Sequence, residues 1–162
     1  MQNGMTKKIV LWVLTLSVAV GIFMFSEQSA EQSSAISGAV TQGLLGSLFS
    51  FFQFTEAQQE TAHELIRSAA HVASFALLGL FSSLLVRSYR LKRWFLITFV
   101  CCVVYALFDE CHQLWIAAGR AFELLDVAKD CIGVLLGACL VVAASRIAAR
   151  YRAKKQNQKE GN

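Results

Sequence analysis

The sequence predicts an all-α, polytopic membrane protein with four transmembrane helices, both termini on the cytoplasmic side, and an interfacial or re-entrant segment between the first two spans. Three observations carry this reading. The 162 residues are 56% hydrophobic and only 16% charged, against roughly 25% charged residues in a soluble domain. The apolar residues fall in long uninterrupted blocks, and the basic residues gather at one side of those blocks. Mean hydropathy is +0.50. The net charge of +4 does not point to nucleic acid, because the cations flank hydrophobic blocks rather than form a stripe.

The first block, Ile9 to Phe25, has 17 residues without a charge and follows Lys7 and Lys8. A secretory leader would have a shorter apolar core and a small-residue cleavage site; Ser26, Glu27 and Gln28 offer none, so the block reads as an uncleaved first span. The second block, Ser68 to Val86, has 19 residues and one ionisable group, His71. The third, Trp94 to Phe108, and the fourth, Cys131 to Ser145, have 15 each. A spanning helix needs about 20 residues. The two short blocks therefore cross only if the ionisable residues at their ends are drawn to headgroup depth or a little below.

Orientation follows from the cations. With the N-terminus inside, twelve of the fifteen Lys and Arg residues face the cytoplasm and ten of the eleven acids face out, as the positive-inside rule requires. Between the first two spans, Ser26 to Gly38 is serine-rich and reads as a loop. Leu44 to Phe54 is apolar but only 11 residues long, which suits an interfacial or re-entrant element. Thr55 and Gln58 have the spacing of a capping box that opens a polar helix into the second span. Residues 1–149 form one domain, and the basic tail from Arg150 to Asn162 reads as frayed. The five cysteines are odd in number and contain no CxxC pair; they read as small apolar residues.

The outer ends of three spans carry ionisable side chains on single helical faces: Arg67 with His71, Asp109 with His112 and Gln113 (Tyr105 one turn deeper), and Asp126 with Asp130. Arg120 lies in the loop between the last two spans. Charges at membrane depth are costly and pair with one another. The sequence therefore predicts one shared cluster, in which Arg67, Arg120 and a histidine offset the charge of Asp109, Glu110, Asp126 and Asp130. Glu110 sits on a different face from Asp109 and is equally compatible with water. Lys129 reads as a headgroup anchor, and Glu64, Glu123 and His63 as solvated. A purely structural ion-pair network remains open. Gly133 and Gly137 make a small-xxx-small pattern that permits close approach of a neighbouring helix. Two histidines with carboxylates are able to ligate zinc or a harder ion, but no metal-ligand spacing, nucleophile elbow or phosphate loop is present, so no metal site or cofactor is assigned.

The run Tyr105 through Asp109-Glu110-x-His112-Gln113, then Gly119-Arg120, then Asp126 through Asp130, Gly133 and Gly137, resembles the VanZ-like family of bacterial membrane proteins. Phe25-Ser26-Glu27-Gln28 with Ser33 and Ser34, and Arg67 and His71 leading to Leu78-Gly79, fit the same pattern, so the likeness covers about residues 9–145. The resemblance implies a four-helix multi-pass domain of the bacterial cytoplasmic membrane. It also implies polar positions at Ser26, Arg67, His71, Asp109, Glu110, His112, Gln113, Arg120 and Asp126. The family usually has asparagine where this chain has Asp130. Its founding member is associated with reduced susceptibility to the glycopeptide teicoplanin.

Two functions follow as expectations. In one, the outer cluster binds or modulates a cell-envelope component, cell-wall precursor or glycopeptide antibiotic, with membrane lipid around it. In the other, the chain is a membrane-embedded hydrolase or transferase, with or without a metal, acting on a lipid-linked envelope substrate. His71 or His112 is then the general base, and Asp109 or Asp126 orients it. A small transporter would require oligomerisation, which the sequence leaves open.

Overall fold

The computed structural model describes residues 2–27, 30–52, 55–116 and 123–160. It contains five helices: α1 (Gln2–Ser26), α2 (Ala30–Phe52), α3 (Glu56–Ser88), α4 (Trp94–Ile116) and α5 (Leu124–Glu160). Four of them, α1, α3, α4 and α5, are long and apolar enough to cross a membrane.

The shortfall in the last two apolar blocks is made up by the polar residues at their ends. Helix α4 continues past Phe108 to Ile116 and carries Asp109, Glu110, His112 and Gln113 inside it. Its 23 residues reach about 34 Å, enough for a hydrocarbon core of ~30 Å. Helices α3 and α5, with 33 and 37 residues, overrun that thickness. The excess of α3 is its polar N-terminal turns, and that of α5 is its basic C-terminal turns.

Pairings along the helices fix their directions. His71 meets Asp130 and Arg87 meets Ser145, so α3 and α5 run parallel. Tyr105 donates to the Ala19 carbonyl and His112 packs on Phe23, so α1 and α4 run parallel. Trp12 donates to the Tyr89 hydroxyl, 3.0 Å away, which sets α1 antiparallel to α3. Consequently the ends of α1 and α4 and the beginnings of α5 and the second span gather at one end of the bundle, and most of the basic residues at the other.

Helices α3 and α5 share the most extensive interface, and glycine is the reason. A Cβ on Gly79 would stand 2.6 Å from the Val134 carbonyl oxygen, and one on Gly133 or Gly137 would strike the carbonyl of Val72 or Ala76. The small-xxx-small seam expected on α5 thus packs backbone to backbone, with Gly79 as its counterpart on α3. Ile22, Phe75, Leu78, Cys102, Ala106 and Val134 form the apolar core beside it. All five cysteines are free thiols.

Two expectations are corrected. The serine-rich stretch after Ser26 is helical from Ala30, and it continues without interruption through the apolar run to Phe52. Packing against α3 supplies the reason: Thr41 is fully buried, Gly38 approaches His63, and Gln42 donates to Gln59. The tail from Arg150 extends α5 to Glu160 instead of fraying, since no proline or glycine interrupts residues 138–160. The capping box is present as expected, with the Thr55 hydroxyl accepting from the Gln58 N–H and the Gln58 side chain reaching the Thr55 N–H.

Candidate functional site

The paired end of the bundle encloses a half-open cavity of about 440 Å³. Ser26 from α1, Arg67, His71 and Ser74 from α3, and Asp109 and Gln113 from α4 supply its polar lining. Ile22 and Phe25 of α1, Ile36 and Val40 of α2, and Ile66 and Leu77 of α3 are among its apolar walls. The α2 wall carries no signal in the sequence, because Ile36 and Val40 sit in a segment whose serines favour turns.

Within the site, Nδ1 of His71 lies 3.3 Å from Oδ1 of Asp130 across the glycine seam. The Asp130 side chain is fully buried and that of His71 is 19% exposed. One turn apart on α4, Gln113 donates to Asp109 at 2.9 Å, and both residues are buried. Asp109 lies within electrostatic range of both His71 and His112. The Ser26 hydroxyl stands beside it but outside strict hydrogen-bond geometry.

Glu110 is buried too, which settles its open reading against water. Its carboxylate accepts the Glu123 backbone N–H at 3.2 Å, at the start of α5, where the helix has free donors to offer. It lies within electrostatic range of Asp126, Asp130 and His71. Among the described residues, Oδ1 of Asp109, Oε1 of Glu110, Oδ2 of Asp130 and Nδ1 of His112 are buried without a hydrogen-bond partner. Such groups are uncommon in folded proteins and call for an explanation.

Several expected pairings fall elsewhere. Arg67 forms its ion pair with Glu64 of its own helix, at 2.9 Å, rather than with the acids of α4 and α5; it still lines the cavity. Asp126 pairs with Lys129 at 2.5 Å, which turns the expected headgroup anchor into a counter-ion one helical turn away. His112 does not line the cavity: its ring packs 4.3 Å from Phe23 and stacks on Phe108. His63 is half-buried and faces Glu60 at 3.8 Å, where a solvated side chain was expected. Glu123 and Glu64 are exposed as expected. Arg120 lies outside the described residues. Among the described residues no three His, Cys, Asp or Glu side chains converge as a metal-ligand set.

Four helices long and apolar enough to cross a membrane, three of which line a cavity carrying Arg67, His71 and Asp109, define a multi-pass membrane protein with ionisable groups inside its helices. The chain belongs to the VanZ/LLP1 family, whose model matches residues 11–145. Neither the comparison with curated proteins nor that with solved structures gave a match.

Proposed function

We propose that the chain binds an amphiphilic component of the bacterial cell envelope, a lipid-linked cell-wall precursor or a glycopeptide of the teicoplanin type, in the cavity between α1, α2, α3 and α4. One observation carries this reading: a cavity of about 440 Å³ whose apolar walls end on Ser26, Arg67, His71, Asp109 and Gln113. Its size falls within the range of small-molecule sites, and such sites combine mostly apolar walls with a few convergent polar groups.

In this reading an acyl, isoprenyl or aromatic portion lies along Ile36, Val40, Ile66 and Leu77. The polar portion reaches the inner end. Arg67 contacts a phosphate or carboxylate. The buried acceptor on Asp109 takes a hydroxyl or amide donor, Glu110, Asp130, His112 and Asp126 shape the field behind it, and Gln113 holds Asp109 in place. With the basic ends of the bundle in the cytoplasm, the cavity opens in the outer leaflet, where envelope precursors and glycopeptides are met.

The test compares teicoplanin susceptibility and binding of a lipid-linked precursor in the wild type, a deletion strain and Asp109→Asn. The expected result is a shift in susceptibility on deletion, reproduced by Asp109→Asn at normal protein abundance. Unchanged susceptibility and unchanged precursor binding in both strains would overturn the proposal.

A membrane-embedded hydrolase or transferase is the second reading, favoured by the His71–Asp130 pair. A buried carboxylate that fixes an imidazole is the arrangement used by general bases, and here Asp130 takes the orienting place expected of Asp109 or Asp126. His71→Gln separates the two readings: an enzyme loses turnover of the bound lipid-linked substrate while retaining its binding.

A further inference from the structure

We propose that the opposite end of the bundle holds a second site, a pocket for the phosphate of an anionic phospholipid. The inference does not rest on the function proposed above. A cavity of about 780 Å³ lies between the C-terminal parts of α3 and α5, next to the start of α1. Its polar lining is Lys7, Arg87 and Arg152, with Ser88 and Ser145. Leu80, Leu84, Leu140 and Val141 continue it toward the middle of the membrane. Small side chains at Ala144, Ala148 and Ala149 leave the groove open where α5 moves past the glycine seam.

Among the described residues these cations have no acid to pair with. No Asp or Glu occurs in residues 1–26, 65–108 or 131–159, and every ion pair among the described residues lies at the other end of the bundle. Arg87 donates to the Ser145 hydroxyl and faces the Trp94 ring at 5.8 Å, neither of which supplies negative charge. Lys8 sits over the Tyr89 ring at 4.3 Å. The apolar blocks end at Ile9, Val86 and Ser145, so Lys7 and Arg87 meet the same membrane plane, and Arg152 lies about two turns below Ser145.

That plane is where lipid phosphates lie. Basic pockets between spanning helices are recognition sites for acidic headgroups, and Arg forms charge-assisted hydrogen bonds with phosphate. A diacyl lipid satisfies both halves of the cavity: its phosphate compensates Arg87, Lys7 and Arg152, and one acyl chain lies along Leu84, Leu80 and Leu140. Inorganic phosphate satisfies only the first half. The geometry therefore commits the site to a phospholipid.

The test uses the full-length chain, delipidated in mild detergent and mixed with equal amounts of phosphatidylglycerol and phosphatidylcholine. Native mass spectrometry then counts the retained lipid. The wild type is expected to keep at least fivefold more phosphatidylglycerol. The Arg87→Gln/Arg152→Gln variant is expected to fall to the phosphatidylcholine level, and Lys154→Gln/Lys155→Gln, with the same charge removed outside the pocket, to keep its preference. Lys7→Gln, an exposed single change, serves if the double variant does not fold and is expected to lose at least half of the preference. Equal retention of both lipids, equal loss in the control pair, displacement by millimolar inorganic phosphate, or a lipid-independent dimer covering the groove would each overturn the assignment.

Discussion

His71 and Asp130 face each other across the closest helix pair in the molecule, with Nδ1 3.3 Å from Oδ1 and a carboxylate side chain that is fully buried. Removing the imidazole leaves the buried acid without its counter-ion at membrane depth. His71→Ala is therefore expected to destabilise the bundle by about 3 kcal/mol, the usual cost of orphaning a buried charge. Asp130→Asn removes the charge, keeps a hydrogen-bonding partner for His71 and restores the residue usual in the resembling family. Its expected cost is under about 1 kcal/mol, since a buried ion pair and its neutral replacement are nearly equal in stability. Reversible unfolding in mixed micelles measures both; equal losses would show that the ionic form of the pair is needed.

The seam itself sets the next expectation. A methyl group at Gly137 collides with the Ala76 backbone carbonyl, whereas one at Gly21 meets nothing within 4 Å. Backbone does not move aside as a flexible side chain does. Gly137→Ala is expected to cost roughly 1–3 kcal/mol through overpacking, and Gly21→Ala to be neutral or to gain up to about 1 kcal/mol from helix propensity. The same unfolding assay ranks them, and a stable Gly137→Ala variant would mean that α3 and α5 are able to slide apart.

Much of this architecture was legible because membrane thickness is a fixed ruler. The deficit after Phe108 and before Cys131 required Asp109, His112, Gln113, Asp126 and Asp130 to enter the spans, and helical spacing then placed them at one end. Which acid meets which base was not legible. Arg67 has Glu64 within one turn and Asp126 has Lys129, and short i,i+3 reach displaced the inter-helix pairs expected. The first half of helix α2 was missed for a different reason. Its serines favour caps and turns on their own, and the contacts that stabilise it, such as Thr41 and Gly38 against α3, belong to tertiary structure. Ser26 was identified through the family resemblance alone, because a single serine after an apolar block has no distinguishing pattern.

Orientation is decided by labelling. With all five native cysteines, Cys101, Cys102, Cys111, Cys131 and Cys139, replaced by alanine, single cysteines at Glu60 and Lys92 report opposite ends of the bundle; both positions are exposed. If the positive-inside rule governs this chain, a membrane-impermeant maleimide added to intact cells labels Glu60→Cys and spares Lys92→Cys. The reverse pattern would move the cavity lined by Arg67, His71 and Asp109 to the cytoplasmic leaflet and remove glycopeptides from its ligands.

Tyr105 tests how α1 is held in place. Most of α1 faces outward, with Ile9, Val13, Leu16, Val20 and Met24 exposed, and its link to α4 includes the hydrogen bond from Tyr105 to the Ala19 carbonyl at 2.6 Å. That carbonyl also accepts an N–H within its own helix, so losing the phenol does not orphan it. Tyr105→Phe is accordingly expected to cost about 1 kcal/mol, the net worth of one hydrogen bond, and to raise amide exchange in α1 near Ala19 while leaving the α3–α5 seam unchanged. Tyr105→Ala also removes the ring that packs near Phe75, with centroids 6.2 Å apart, and falls in the range of about 3–5 kcal/mol for large-to-small core changes. Because Ser26 and Phe25 line the cavity from the end of α1, loosening this helix should weaken ligand binding in proportion to the exchange it gains. Faster exchange in α1 with unchanged affinity would show that the cavity does not depend on how α1 is seated.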